Sequence, residues 1–139
     1  MTRITTYLTF NGNCREAMAF YRDCLGGELQ LQTVGESPMA DAMPEQMKNA
    51  VLHATLSKDS FTLMGSDMAC EDGLIRGNAV SLFLECNSET EIAVLYETLS
   101  EGGKKEFELQ KTHWGDWFGT LNDRFGNHWL LHHNKSRGI

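Results

Sequence analysis

Histidine is the side chain whose charge changes near neutral pH, and three of the five in this chain fall where a strand pattern would aim them at solvent-accessible chemistry. His53 shares a strand parity with Val51 and Thr55, while His128 and His132 straddle Leu130 on one face of another strand. Glu85 stands in line with Ser81 on a third. His53, Glu85, His128 and His132 together offer the imidazole and carboxylate donors that hold divalent ions. Four ligands must converge at about 2.0 to 2.2 Å, however, and no His-Glu-x-x-His or comparable local spacing builds that convergence. The reading from these residues is a site without metal and without a cofactor. For His53 two roles stay open: an acid or base on an exposed strand face, or a buried ring satisfied by a backbone carbonyl.

Nucleophilic chemistry has less local support. There is no Gly-x-Ser-x-Gly turn, and Ser81 and the four cysteines, Cys14, Cys24, Cys70 and Cys86, carry no activating neighbours in sequence. They read as packing residues. The cysteines are scattered, with no Cys-x-x-Cys pair, so free thiols and a reducing compartment are expected. No glycine-rich strand-to-helix loop of the nucleotide-binding kind is present. Among the carboxylates, Glu97, Glu101, Glu106 and Glu108 read as solvated, whereas Asp67 and Glu85 sit at a strand end or on a mixed-polarity strand that a ligand could approach.

Trp114, Trp117 and Trp129 lie within sixteen positions, and aromatic walls suit a flat or apolar small molecule. Trp129 has the parity of a core residue. Trp114, in a loop with Gly115 and Asp116, is expected at a pocket rim. Met39, Met43 and Met47 recur at i, i+4 and i+8, consistent with a short helix over a cleft entrance or with dimer packing. The stretch from Gly35 to Gln46 holds both prolines, Pro38 and Pro44, and reads as a loop able to serve as a flap.

Whole-chain properties narrow the class. The chain has 139 residues with 41% hydrophobic and 22% charged positions, values of an ordinary single domain able to bury a core without staples. Twelve basic against nineteen acidic side chains leave a net charge of −7, which opposes the phosphate neutralisation that nucleic-acid and anionic-membrane binding require. Apolar runs are short, and the opening residues lack a signal-peptide core, so a cytoplasmic location is expected.

The elements that must position these side chains come in two copies. Ile4-Thr5-Thr6-Tyr7-Leu8-Thr9-Phe10 lies over Val80-Ser81-Leu82-Phe83-Leu84-Glu85-Cys86 at an offset of 76 residues, and Gly26-Gly27 lies over Gly102-Gly103 at the same offset. Between each strand and its glycine pair a helix is predicted, opened by Asn13 with Glu16 and by Ser88 with Glu91 as capping boxes. Ala17, Phe20, Tyr21, Cys24 and Leu25 form the apolar stripe of the first; Ile92, Leu95, Tyr96 and Leu99 form that of the second. Strands are predicted at Glu28 to Thr33, Ala50 to Ser57 and Phe61 to Ser66, and again at Lys104 to Gln110, Trp117 to Leu121 and Asn127 to His133. The fold class is therefore α+β: one domain of two β-α-β-β-β modules, about 1–70 and 76–134, with a helix on one face of each sheet and the other face free to form a cleft. In the first strand, Ile4, Thr6, Leu8 and Phe10 have the helix-facing parity; Thr5, Tyr7 and Thr9 face the cleft.

The segments Tyr7-Leu8-Thr9-Phe10-Asn11-Gly12-Asn13, Phe20-Tyr21-Arg22-Asp23-Cys24-Leu25-Gly26-Gly27, His53-Ala54, Trp114-Gly115-Asp116-Trp117-Phe118-Gly119 and Asp123-Arg124-Phe125-Gly126-Asn127-His128-Trp129 resemble the PhnB-like branch of the vicinal-oxygen-chelate superfamily, which includes glyoxalases, bleomycin-resistance proteins and dioxygenases. The resemblance covers nearly the whole chain. It implies paired modules in a half-open barrel, commonly a homodimer, and a divalent ion held by four His, Glu or Gln ligands. The corresponding places here fall near Thr5, Met64, Ser81 and Leu130, none of them a good ligand for zinc, iron or manganese. The expectation is a small-molecule-binding protein that has lost the usual metal shell. Its pocket would be lined by Tyr7, His53, Met64, Ser81, Trp114, Leu130 and His132, with no nucleic-acid or membrane partner. A metal-dependent isomerase, lyase or dioxygenase and a ligand-sequestering resistance protein are the alternatives.

Overall fold

A computed structural model describes residues 2–69 and 73–134. The chain divides into two compact units, Met1–Ile75 and Arg76–Ile139. The first unit runs β1 (Thr6–Thr9), α1 (Cys14–Leu25), β2 (Glu28–Thr33), β3 (Val51–Lys58) and β4 (Phe61–Ser66). The second repeats the order with β5 (Leu82–Glu85), α2 (Glu89–Ser100), β6 (Lys104–Lys111), β7 (Trp117–Asn122) and β8 (His128–His133). Each unit forms an open four-stranded mixed sheet, ordered β1-β4-β3-β2 in one and β5-β8-β7-β6 in the other. In both, the first strand pairs parallel with the last and the remaining pairs are antiparallel. Two copies of one topology confirm the repeat read from the sequence.

Strand alternation sorts each sheet into two unlike faces. In the first unit Ala54 and Leu56 are fully buried and Leu63 nearly so, on the side that packs against α1. Gly65 is on that side as well, with Phe10 and the Met18 sulfur 3.3 Å from where its Cβ would stand. In the second, Leu121, Trp129 and Leu131 are buried on the corresponding side against α2. Among the described residues, the opposite faces carry no α-helix of their own unit.

Glycine pairs end both helices for the reason their recurrence suggests. Gly26 and Gly102 have φ of +79° and +77°, and in the first unit the Gly26 amide closes the helix on the Arg22 carbonyl at 2.8 Å. The second glycine of the later pair answers a different need: a Cβ on Gly103 would stand 2.2 Å from the Asn122 carbonyl oxygen. Only a residue without a side chain lets β6 start beside the end of β7.

Several local expectations are corrected. Asn13 makes no side-chain cap on α1. The Asp67 carboxylate reaches in from the end of β4 and occupies that place, accepting from the amides of Gly12 and Cys14, each at 2.9 Å. Ser88 does cap α2, accepting from the Glu91 amide at 3.0 Å. The buried stripe of α1 is Cys14, Ala17, Met18 and Tyr21, with Phe20 and Leu25 only half-buried, so the helix is rotated from its predicted orientation. Ile4 precedes β1 and is fully exposed rather than packed on the helix. The methionine stripe forms no single helix: after a 3-10 turn at Val34–Glu36 it is split into short 3-10 turns at Ala40–Ala42 and Glu45–Met47, with Pro44 breaking the run between Met43 and Met47. Neither helix is long and apolar enough to cross a membrane, among the described residues. Cys70 and the tail from residue 135 lie outside the described residues.

Candidate functional site

In the first unit the strand register places Tyr7 beside Met64 and Met64 beside Thr55, while His53 lies two residues along β3 on the same face. This is the face without the helix. The Tyr7 and His53 rings stand 6.4 Å apart, tilted by 35°, and Tyr7 is 51% exposed. His53 is half-buried, and its Nε2 pairs with the Thr55 hydroxyl at 3.0 Å instead of with a backbone carbonyl. Tyr7, His53 and Met64 are thus neighbours. Thr5 lies just outside β1, in an open depression with Arg3 and the Lys58-Asp59-Ser60 turn.

The helix-free face of the second unit is more polar. The β5–β8 register pairs Phe83 with Leu130 and Glu85 with His132, and Ser81 continues the same parity just before β5. His132 lies between two carboxylates: Nδ1 is 3.0 Å from Glu85 and Nε2 is 3.1 Å from Asp116. The Phe83 ring is 5.9 Å from the His132 ring. His128 is also engaged at both nitrogens, by the Ser81 hydroxyl at Nδ1 and by Glu106 at Nε2, the latter at 2.7 Å. Leu130 lies between these two histidine systems. Ser81, Leu130 and His132 therefore share a face, whereas Trp114 stands apart from them on the Thr112–Asp116 loop, 83% exposed and edge-on to His113.

Asp116 ties that loop to the sheet. Its amide donates to the Thr112 hydroxyl at 3.2 Å, its carbonyl accepts from the Thr112 amide at 2.6 Å, and its carboxylate meets His132. Sequence reading missed this role, although a usable signal existed: Asp116 has the parity of Phe118, which pairs with His132. Glu106, read as solvated, is paired with His128, because nothing local foretells a partner twenty-two positions away. Asp67 is likewise reassigned. It is 8% exposed and spends both oxygens on amides, adding Val51 at 2.9 Å to Gly12 and Cys14, so its carboxylate serves the backbone.

The neighbouring motifs are structural. Trp129 is buried, with its indole N–H donating to Asp123 at 2.9 Å, while the other Asp123 oxygen accepts the Phe125 and Asn127 amides. That staple fixes the turn from which His128 emerges on the opposite face. His133 is buried and bonded to the Cys86 carbonyl at 2.9 Å. Burial pushes the Cys14 and Cys86 thiols up to about 12, with Asp67 adding to the first and Glu91 and Glu85 to the second. Both are therefore held protonated and inert at neutral pH.

The donor set does not fit a divalent ion. Thr5, Met64, Ser81 and Leu130 offer two hydroxyls, a thioether and a hydrocarbon, and among the described residues no three of His, Cys, Asp and Glu gather to hold one. The imidazole nitrogens of His128 and His132 already face hydrogen-bonding partners.

Comparison with known proteins adds relatives to this geometry. Residues 2–132 match the family described as 3-demethylubiquinone-9 3-methyltransferase. Protein YjdN of Escherichia coli (strain K12) is 31% identical over 141 residues, covering 92% of each chain. The crystal structure of protein PA1353 from Pseudomonas aeruginosa is 36% identical with a TM-score of 0.83, covering 96% of this chain and 98% of that one. A putative 3-demethylubiquinone-9 3-methyltransferase, PhnB protein, from Bacillus cereus is 26% identical with a TM-score of 0.76, covering 96% and 100%. Solved structures at 13% to 17% identity, described as glyoxalase-related or as glyoxalase/bleomycin resistance/dioxygenase proteins, share the fold with TM-scores of 0.61 and 0.62. A repeated β-α-β-β-β topology, a match over almost the entire sequence and these relatives agree: the chain belongs to the family described as 3-demethylubiquinone-9 3-methyltransferase, with a PhnB protein among its relatives.

Proposed function

We propose that each unit of this protein offers the helix-free face of its sheet to a small, partly aromatic molecule and binds it without a divalent ion. The observation that carries this reading is the contrast between faces. Where α1 and α2 pack, Ala54, Leu56, Leu121 and Leu131 are completely buried; on the other side Tyr7 and Phe83 are left 51% and 61% exposed beside His53 and His132. Exposed rings next to hydrogen-bonding imidazoles suit a ligand with a flat apolar body and a few polar atoms. Tyr7, His53 and Met64 are the proposed contacts on the face of the first unit, and Ser81, Leu130 and His132, with Trp114 contributing from its loop, are those on the face of the second.

The methyltransferase wording of the family and of the Bacillus cereus relative does not supply a mechanism here, because the chain has no glycine-rich strand-to-helix loop for a nucleotide-like cofactor. We also assign the protein to the cytoplasm as a homodimer and treat the chain as one cooperative domain. Sedimentation should give twice the chain mass, and calorimetry a single transition.

The binding reading is tested by thermal-shift screening of chelator-treated protein against aromatic and α-keto compounds. Stabilisation that persists with chelator present supports it. Stabilisation that demands a stoichiometric divalent ion contradicts it and favours the metal-dependent enzyme.

A further inference from the structure

Ser81, His128 and Glu106 come from the lead-in to β5, the start of β8 and the middle of β6, and the fold brings them into one hydrogen-bonded line. The placement of Glu106 has a structural cause. Lys105 pairs with Leu121 but Phe107 pairs with Thr120, so Glu106 is the extra residue of a β-bulge. Bulges re-aim side chains, and this one delivers the carboxylate to within 2.7 Å of His128 Nε2. A neutral imidazole has one N–H. With a carboxylate at Nε2 that hydrogen resides there, leaving the Nδ1 lone pair to accept the Ser81 hydroxyl proton. The ring is turned end for end relative to the familiar serine triad, yet acid, base and hydroxyl stand in the same order.

We propose that Ser81 is a nucleophile toward activated acyl esters, with His128 as its base and Glu106 as a positioning residue. The site is open to solvent: His128 and Glu106 side chains are 26% and 40% exposed, and Leu130 and Phe107 flank them with apolar surface for an acyl or aryl group. In the first half-reaction the Oγ–C bond forms as the hydroxyl proton passes to Nδ1. The ester C–O bond then breaks, and the leaving alkoxide takes that proton. In the second, water adds to the acyl carbon, its proton passes to Nδ1, the bond to Oγ breaks and Oγ recovers the proton. The net change is ester plus water to acid plus alcohol. This chemistry extends the binding reading without depending on it, since the three residues lie in one unit and need no cognate ligand.

The test is labelling of the full chain with a fluorophosphonate probe, with the modified residue located by mass spectrometry. The expected result is label on Ser81 of the folded protein, none there in Ser81→Ala, and a rate lowered roughly a hundredfold in His128→Gln. Glu106→Gln, with unchanged melting, should slow labelling and alter its pH profile, which a purely structural carboxylate would not do. Ser81→Ala changes one half-buried atom outside the strand, so its folding is not at issue. Absence of label on Ser81 in the folded wild type, equal labelling after denaturation, or an unchanged rate in His128→Gln would overturn the proposal. Failure of this test leaves ligand-induced stabilisation unaffected, so the two readings fail separately.

Discussion

The Asp67 carboxylate lies 2.9 Å from the amide of Cys14, and this contact caps α1 from a residue fifty-three positions away. The same side chain holds Gly12 and Val51, joining the ends of β1, β3 and β4 to the helix start. Asp67→Ala leaves three amides without their acceptor and should cost about 3 kcal/mol, as charged buried hydrogen bonds do. Asn13→Ala, at the residue the sequence nominates as the cap, should cost less than about 0.5 kcal/mol because its side chain caps nothing. Denaturant unfolding of the two variants distinguishes the two caps.

Tyr96 does two jobs on α2. Its ring is buried under the sheet and its hydroxyl donates to the carbonyls of Phe107 and Thr120, at 2.9 and 3.2 Å. Tyr96→Phe should lose about 1 to 2 kcal/mol, and Tyr96→Asp should prevent folding. On α1 the rotated stripe ranks the substitutions differently from the sequence pattern: Tyr21→Asp should be far more damaging than Phe20→Asp, since Tyr21 is fully buried and Phe20 is not. Comparable melting losses in the two would refute the observed orientation.

Alkaline pH should unfold the protein through three buried acids. Cys14 and Cys86 are raised from 9.0 to about 12, and Tyr96 from 10.0 to about 12, each chiefly by burial. The folded state holds these protons more tightly than the unfolded chain. Their contribution is thus complete below about pH 9 and is lost as pH climbs toward 12, at up to about 1.4 kcal/mol per pH unit for each titrating group. Cys86→Ala should flatten the decline of stability measured by urea titration between pH 9 and 11; an unaltered slope would contradict the assignment.

The Trp114 loop depends on His132. Asp116→Asn removes the charged partner of Nε2 and should speed hydrogen exchange at the Gly115 amide, which now donates to the Thr112 carbonyl at 3.0 Å. Glu85→Gln, acting on the other nitrogen, should disturb the loop less. Exchange unchanged in Asp116→Asn would show that the loop is held by Thr112 alone.

Local periodicity made the skeleton legible. The 76-residue offset, the alternation in β2 and β4 and the glycine pairs anticipated element order, and Glu28–Thr33 and Phe61–Ser66 fell where expected. What escaped were side-chain contacts between residues distant in sequence. Asn13 resembled a cap because the rule is local, yet a strand-end carboxylate reached the helix first. Glu106 resembled surface charge because a bulge cannot be read from one strand without its partner. Ser81 looked inert for the same reason, its imidazole lying forty-seven residues downstream. Tyr7 and His53 were named from strand parity and Met64 from the family resemblance, and the register of β1, β3 and β4 puts all three on one face.

The central claim is that ligand meets the helix-free faces with no ion between. Amide and side-chain NMR shifts, recorded in chelator with the strongest stabiliser from the aromatic and α-keto panel, test it most directly. The account predicts perturbations at Tyr7, His53, Met64, Leu130 and His132 with Ala54, Leu56, Leu121 and Leu131 unmoved. Shifts confined to the helix-packed side, or appearing only once a divalent ion is supplied, would contradict it.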